Sequence, residues 1–149
     1  MNNFQQTQLT SVAVAIIHAR GKYLMQLRDD IPHIAYPGVW GFFGGHIEPG
    51  EEPEIALKRE LIEEINYQAK ELKLFRCDRA GQYLRHVYSC PLTVSIEALL
   101  LKEGWDLKLL TPAEIRQGTA YSHKAIAHKP LGEIHRKILL DFISSEGKG

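Results

Sequence analysis

The segment from residue 39 to residue 65 limits most strongly what this chain can fold into. It opens with the apolar and aromatic run VWGFFGG, which predicts a short strand that ends in a glycine-rich turn. A helix is predicted from Pro53 to Ile65, because proline suits the first helical position, where its missing N–H would be unpaired anyway. Asn66 can then adopt the left-handed conformation that ends a helix. The segment therefore predicts a strand, a glycine turn and a helix in succession.

The other elements are predicted from apolar periodicity and turn residues. Strands are predicted at Ser11–Ile17, at 22–28 after a turn at Gly21, and at Ala69–Phe75, Gln82–Cys90 and Leu92–Leu101. A short helix is predicted behind a Thr111 cap, and an amphipathic helix at Leu131–Ile143. Strands interleaved with two substantial helices predict an α/β or α+β fold, and 149 residues fit one domain over 1–149.

Composition excludes several classes of protein. The chain has 18 Lys and Arg against 18 Asp and Glu, and 44% of its residues are hydrophobic, which is typical of a globular protein. Zero net charge gives no reason to expect binding to nucleic acid or to an acidic membrane. We find no signal-peptide pattern, and no apolar run reaches the roughly 18–20 residues that cross a bilayer. Cys77 and Cys90 are too few for a disulfide scaffold, so we expect buried free thiols and a cytoplasmic protein.

The predicted helix at 53–65 carries two different faces. On a wheel of about 100° per residue, five apolar residues fall in one arc, the predicted buried face: Ile55, Leu57, Leu61, Ile62 and Ile65. Glu60, Glu63 and Glu64 fall in a neighbouring arc, where like charges destabilise a helix by roughly 0.2–0.5 kcal/mol per pair. A divalent cation would relieve that repulsion, because hard ions bind carboxylate oxygens. A solvated acidic face without a metal is the alternative interpretation.

The residues around this helix form a longer pattern. It covers 23 residues and runs from Gly45 through Glu51, Arg59-Glu60-Leu61 and Glu63-Glu64 to Asn66-Tyr67. The pattern resembles the Nudix box, the signature of the Nudix hydrolase family. Asn66 stands where the family usually has Gly, and Phe43 stands where the preceding turn usually has Pro. The resemblance implies the Nudix α/β/α sandwich, with a mixed β-sheet between the box helix and a C-terminal helix at Leu131–Ile143.

The resemblance also implies roles for the matching residues. Four oxygen donors would bind Mg²⁺ or Mn²⁺, namely the carboxylates of Glu60, Glu63 and Glu64 and the backbone carbonyl of Gly44. Arg59 would brace the loop through a salt bridge, most plausibly with Glu51, and Gly45 would support the turn. Such contacts fix the geometry of metal ligands.

Two glutamates are candidates for the general base. In this family the base is either a box glutamate or a glutamate on a loop outside the box. Glu64 is the candidate within the box, and Glu103 is the candidate outside it, because it lies just before Trp105 in the predicted loop KEGWD. A solvated loop glutamate is the alternative interpretation of Glu103.

Four residues are candidates for contact with substrate, namely Arg28, Tyr36, Trp40 and Phe42. The three aromatic rings could stack on a nucleobase. Core packing is an equal alternative for Trp40 and Phe42, and a surface arginine is the alternative for Arg28.

The resemblance implies metal-dependent hydrolysis of a diphosphate linkage in a nucleoside diphosphate linked to another group, such as a nucleoside triphosphate or a nucleotide sugar. A dinucleoside polyphosphate or RNA 5′-end pyrophosphohydrolase is an alternative, and a non-catalytic nucleotide-binding module is another. The expected partner is a small nucleotide, without membrane or nucleic acid, and a homodimer is left open. Neutrality conceals an acidic segment, since residues 48–64 hold seven glutamates against Lys58 and Arg59, a local charge of −5.

Overall fold

A mixed β-sheet carries the fold of the computed structural model, which describes residues 9–32, 34 and 37–146. The strands are β1 (Thr10–Ala19), β2 (Lys22–Leu27), β3 (Trp40–Gly41), β4 (Phe43–His46), β5 (Lys73–Ala80), β6 (Tyr83–Pro91), β7 (Asp106–Leu110), β8 (Thr119–Ser122) and β9 (Ala127–Pro130). The helices are α1 (Pro53–Ile65), α2 (Pro112–Gln117) and α3 (Glu133–Glu146), with a 3₁₀ turn at Ile96–Ala98. In this part of the chain, no helix is long and apolar enough to cross a membrane.

Strand β1 lies at the centre of the sheet. It pairs in parallel with β6 and antiparallel with β2 and β4, and the strand order is β3-β2-β1-β6-β5, with β7 pairing β2. Strands β8 and β9 form a separate hairpin. Because both faces of β1 are covered, its buried stretch is apolar without interruption, as is typical of a central strand.

Helices cover the sheet on both faces. Side chains alternate between the two faces of a strand, so Ala13, Ala15 and Ile17 pack with α1, while Val14 and Ile16 pack with α3. Helix α1 contributes Leu57, Leu61 and Ile65 to its side, and α3 contributes Ile138, Leu139 and Phe142 to the other. This arrangement confirms the predicted α/β/α sandwich with its mixed sheet between the box helix and the C-terminal helix.

Local signals place the helix ends correctly. Helix α1 begins at Pro53 and ends before Asn66, whose φ of 53° lies in the left-handed region, as predicted. The Thr111 cap of α2 is also confirmed, since its side chain accepts a hydrogen bond from the Glu114 N–H in a full capping box. These ends depend on neighbours within four residues, which explains why sequence alone predicts them.

Several predicted elements are wrong. Residues 92–101 form a loop with one 3₁₀ turn and no strand, and the strand predicted at Ala69–Phe75 begins only at Lys73. Strands β7, β8 and β9 were not predicted. The apolar residues of the 92–101 loop pack against the α1 side of the core, for example Leu99 and Leu101. Their periodicity therefore reflects packing, not strand pairing.

The predicted buried face of α1 also needs correction. Ile55 and Ile62 are 55% and 45% exposed, whereas Ala56 and Glu64 are buried. The buried face is thus turned toward the glutamates, and one carboxylate lies inside the protein. Among the cysteines, Cys90 is buried as expected but Cys77 is exposed.

We predict that Gly44→Ala destabilises the protein by more than about 2 kcal/mol. A Cβ at Gly44 would collide with the Ala13 backbone oxygen, and its φ of +145° is unfavourable for other residues. Gly50→Ala is the matched control, because Gly50 also has positive φ (+80°) but nothing lies within 4 Å of an added Cβ. Its cost should stay near about 1 kcal/mol. Urea unfolding measures both values, and equal costs would contradict the close approach of β4 to β1.

Candidate active site

A cavity of about 480 Å³ lies on the sheet beside the glycine turn. That volume falls within the range of small-molecule sites. Its lining comprises Val12, Val14, Arg28, Ile34, Phe42, Gly44, Gly45, His46, Glu60, Glu64, Tyr83, Arg85, Glu103 and His135. The cavity therefore brings an acidic group of side chains and a cationic, aromatic group into one space.

Two glycines allow the carboxylates of α1 to reach the cavity. The Gly44 N–H donates a hydrogen bond of 2.9 Å to Oε1 of Glu64. A Cβ at Gly45 would lie only 2.6 Å from the carboxylate carbon of Glu60. Any side chain at Gly45 would displace Glu60, so the glycine turn and the acidic helix must occur together.

Glu64 is the most perturbed acid of the site. Its side chain is only 6% exposed. Its pKa is raised to about 8, mainly by burial; the nearby Glu60 and Glu103 carboxylates add to the rise, and the Gly44 hydrogen bond and the charge of Arg28 oppose it. Burial likewise raises the pKa of Glu60, with Glu63 and Glu103 adding to it and Arg59 opposing it. The cluster would hold its charge more easily beside a cation.

Arg59 braces the acidic segment. Its guanidinium donates two hydrogen bonds to Glu51, at 2.9 and 3.0 Å, and one to the His46 carbonyl at 3.1 Å. The ion pair that the sequence predicts is therefore formed. The Arg59 hydrogen bond is the main cause of the lowered pKa of Glu51. The same guanidinium contacts Glu60 at 3.0 Å and Glu63 at 3.6 Å.

The predicted metal donors are close in the fold but not converged. Within the described residues, no group of three or more Asp, Glu, His or Cys side chains is arranged to hold a metal ion. Contact with Arg59 engages Glu60 and Glu63, and Glu63 is 56% exposed. The donors still fit Mg²⁺ or Mn²⁺ chemically, because all are oxygens and the carboxylates repel one another.

The loop that carries Glu103 is attached to the end of α1. The Leu100 N–H bonds the Ile65 carbonyl at 3.1 Å, and the Lys102 N–H bonds the Glu64 carbonyl at 2.8 Å. These bonds satisfy carbonyls that a helix end leaves unpaired. They hold Glu103 on the cavity wall, in a loop as predicted, next to the helix that carries Glu64.

The cavity also contains residues that the sequence analysis missed. Arg85 on β6 is 5% exposed and pairs with Asp78 at 3.5 Å. His135 on α3 stacks on Phe42 with ring centroids 4.8 Å apart, and its Nδ1 accepts the Phe42 N–H at 3.0 Å. No local motif marks His135 or Arg85, because they join the site only through the packing of α3 and β6 on the sheet.

The four predicted substrate residues have different outcomes. Arg28 lines the cavity. Phe42 also borders it, but its side chain is only 3% exposed and belongs to the apolar core, so the packing alternative holds for Phe42. The prediction for Trp40 is wrong, because its side chain is fully buried in the core and its Nε1–H bonds the Ala120 carbonyl at 3.1 Å. Tyr36 lies outside the described residues.

The sequence is similar to proteins of one family. The family model for the NUDIX domain matches residues 7–142. The nucleoside triphosphatase NudI of Escherichia coli K12 is 39% identical over 59 residues, which cover 39% of this chain and 40% of that protein. The match therefore spans about two fifths of the length of the curated relatives.

Solved structures show the same fold. The NUDIX hydrolase from Nitrosomonas europaea has a TM-score of 0.75 at 17% identity, over 95% of this chain and 74% of that chain. MutT of Aliivibrio salmonicida and Vibrio cholerae has a TM-score of 0.70 at 20% identity, over 93% and 99% of the two chains. The Escherichia coli ORF135 protein has a TM-score of 0.64 at 26% identity, over 92% and 90%.

We predict that Glu64 makes stability fall as pH rises when no metal is present. Its pKa of about 8 lies above the ordinary value of 4.5, so the folded protein binds this proton more tightly than the unfolded chain. This contribution of Glu64 to the free energy of unfolding is complete below about pH 4.5 and is lost as pH rises to about 8. Glu64→Gln should remove this part of the decline.

Urea unfolding in EDTA at pH 5, 6, 7 and 8 measures the effect. Glu97→Gln is the control, because Glu97 is exposed on the 3₁₀ turn, outside the acidic cluster, and should keep the wild-type slope. Parallel curves for the wild type and Glu64→Gln would contradict the prediction.

Proposed function

Since this chain belongs to the NUDIX domain family, we propose that it hydrolyses a diphosphate linkage in a small nucleotide with the help of Mg²⁺ or Mn²⁺. One observation carries the proposal. The buried Glu64, fixed by the Gly44 N–H, shares a cavity of small-molecule size with Glu60, Arg28 and Arg85, and the charge of Arg28 acts on Glu64. The carboxylates can hold the cation that accompanies the phosphates of a nucleotide. The arginines can bind an anion or a polar group, so the cavity suits both the phosphates and the nucleoside.

A nucleoside triphosphate is the first substrate to test. The partial relative in Escherichia coli is a nucleoside triphosphatase, and its similarity covers 59 residues at 39% identity. All three box glutamates are present in this chain, which favours an enzyme over a non-catalytic binding module. A single family match over 7–142 supports one domain for residues 1–149. The cytoplasmic setting and the homodimer stay predictions.

The residues divide the chemistry among them. Glu60, Glu63, Glu64 and the Gly44 carbonyl would hold the metal, which supplies charge neutralisation of the diphosphate and a more acidic water. Arg59, fixed by Glu51, orients the acidic segment. A glutamate takes the proton of the attacking water as the new P–O bond forms and the bridging P–O bond breaks. One phosphate product keeps the bridging oxygen atom, and the other gains the oxygen atom of the attacking water.

Glu103 is the general base that the geometry favours. Glu64 accepts the Gly44 hydrogen bond and has little exposed surface. Glu103 instead faces the cavity from a loop that two hydrogen bonds attach to α1. The anchoring keeps Glu103 within a fixed region of the site, as proton transfer requires.

We predict that Glu60→Gln lowers turnover at least about 100-fold on the best nucleotide, because it removes a metal ligand. A panel of nucleoside triphosphates and nucleotide sugars with Mg²⁺ or Mn²⁺ is assayed for released phosphate, pyrophosphate and nucleoside monophosphate. EDTA should abolish turnover. Glu97→Gln, an exposed change on the 3₁₀ turn, is the control and should keep full activity.

Two outcomes would contradict the proposed function. Full activity of Glu60→Gln would refute the metal site. Nucleotide binding without turnover on any diphosphate would instead identify a binding module.

We predict that Glu103→Gln lowers kcat by about 10²–10⁴ with little change in KM. Steady-state kinetics from pH 5 to pH 9 measure both constants, and Glu48→Gln on the exposed turn before α1 is the control. If Glu103→Gln keeps full activity while Glu64→Gln loses it, the outer base is wrong and Glu64 takes that role.

A further inference from the structure

One end of the cavity is lined by hydrogen-bond donors. Arg28, Arg85 and His135 line both the main cavity and a small recess of about 20 Å³ beside the first turn of α3. We call these three residues the donor arm. Arg85 and His135 come from β6 and α3, whereas Arg28, just after β2, lies close enough to the box carboxylates for its charge to act on Glu64. The buried Phe42 ring stacks on His135.

His135 is held in one orientation and one tautomer. Its Nδ1 accepts the Phe42 N–H at 3.0 Å, so the ring proton is assigned to Nε2, which is then a donor. Gly41 makes room for the ring, because an added Cβ there would lie 2.8 Å from Nδ1. The pKa of His135 is lowered to about 4, mainly by burial and to a smaller extent by the charges of Arg85 and Arg28. The ring is therefore neutral at pH 7, with a single N–H to offer.

Arg85 presents donors at a buried position. Its residue is 5% exposed, and its ion pair with Asp78 at 3.5 Å is long and uses one guanidinium nitrogen. Arginine has five N–H donors and no acceptor. Asp78 partly balances its charge, so the remaining donors suit an uncharged acceptor such as a carbonyl oxygen.

We propose that the donor arm recognises the carbonyl edge of a nucleobase and rejects a base with an amino group at that edge. The proposal rests on the proposed nucleotide hydrolysis and names its substrate class, the nucleotides of guanine, hypoxanthine, uracil or thymine. An arginine fork matches the O6 and N7 acceptors of a purine such as guanine. The amino group of a base would face the N–H donors of the donor arm and leave them unpaired. Sites built on hydrogen bonds discriminate strongly against such ligands.

A base fits this wall better than a phosphate does. The neutral His135 ring, held against the buried Phe42 ring, suits an uncharged ligand. The diphosphate belongs beside Glu60 and Glu64, which would hold its cation.

Matched nucleotide pairs test the proposal. ITP against ATP, and UTP against CTP, exchange a carbonyl for an amino group on rings of the same size. We expect kcat/KM to be at least about tenfold higher for the carbonyl member of each pair. Arg85→Met should reduce that ratio to below about threefold, and Arg85→Lys, which keeps the charge but loses the fork, should also reduce it. Arg76→Met on the neighbouring strand β5, outside the cavity, should leave the ratio unchanged.

A binding measurement separates this inference from the proposed hydrolysis. Titration calorimetry of IMP against AMP, and UMP against CMP, in EDTA reads base recognition without metal or turnover. The carbonyl member should bind at least about fivefold more tightly, and His135→Leu should lower that preference more than His135→Gln, which keeps an acceptor and a donor. If the protein hydrolyses no nucleotide but still binds the carbonyl member of each pair more tightly, only the proposed hydrolysis is overturned. Equal binding of both members, or an equal loss for all nucleotides in Arg85→Met, would overturn the donor arm and assign Arg85 to the phosphates.

Discussion

The hydrogen bond from the Gly44 N–H to Glu64 is the contact on which the rest of the site depends. It joins the box helix to the sheet at a point where a side chain on Gly44 would strike β1. Glu64 must therefore lie on the inner side of α1, next to the apolar residues that pack on the sheet. The site and the core are built on the same face of one helix, so neither can shift without the other.

Burial of Glu64 makes the acidic end unfavourable on its own, and the surroundings reduce that cost only in part. Arg59 neutralises the outer carboxylates, while Glu64 keeps a raised pKa. Arg28 and Arg85 supply positive charge to the same cavity, and Arg28 acts on Glu64 itself. Opposite charges within one cavity attract and orient a polar ligand.

Sequence alone predicts the parts of this fold that depend on neighbouring residues. The bounds of α1 and the cap at Asn66 follow from short spacings, and the pair between Arg59 and Glu51 follows from the resemblance to the Nudix box. The strand predicted at 92–101 is wrong because the apolar pattern of this segment reflects packing on the α1 side of the core. Its backbone forms hydrogen bonds with the carbonyls at the end of that helix. Arg85 and His135 come from elements far apart in sequence, so only the tertiary structure places them together.

The central position of β1 has a consequence for synthesis of the chain. Its partners β2, β4 and β6 end at residues 27, 46 and 91, so the middle of the sheet closes only after more than half of the chain has been made. Until β6 emerges from the ribosome, the apolar residues of β1 have an unpaired edge. We therefore expect chaperones to protect the nascent chain during this interval. Slow translation just after β6 would favour correct pairing of β6 with β1.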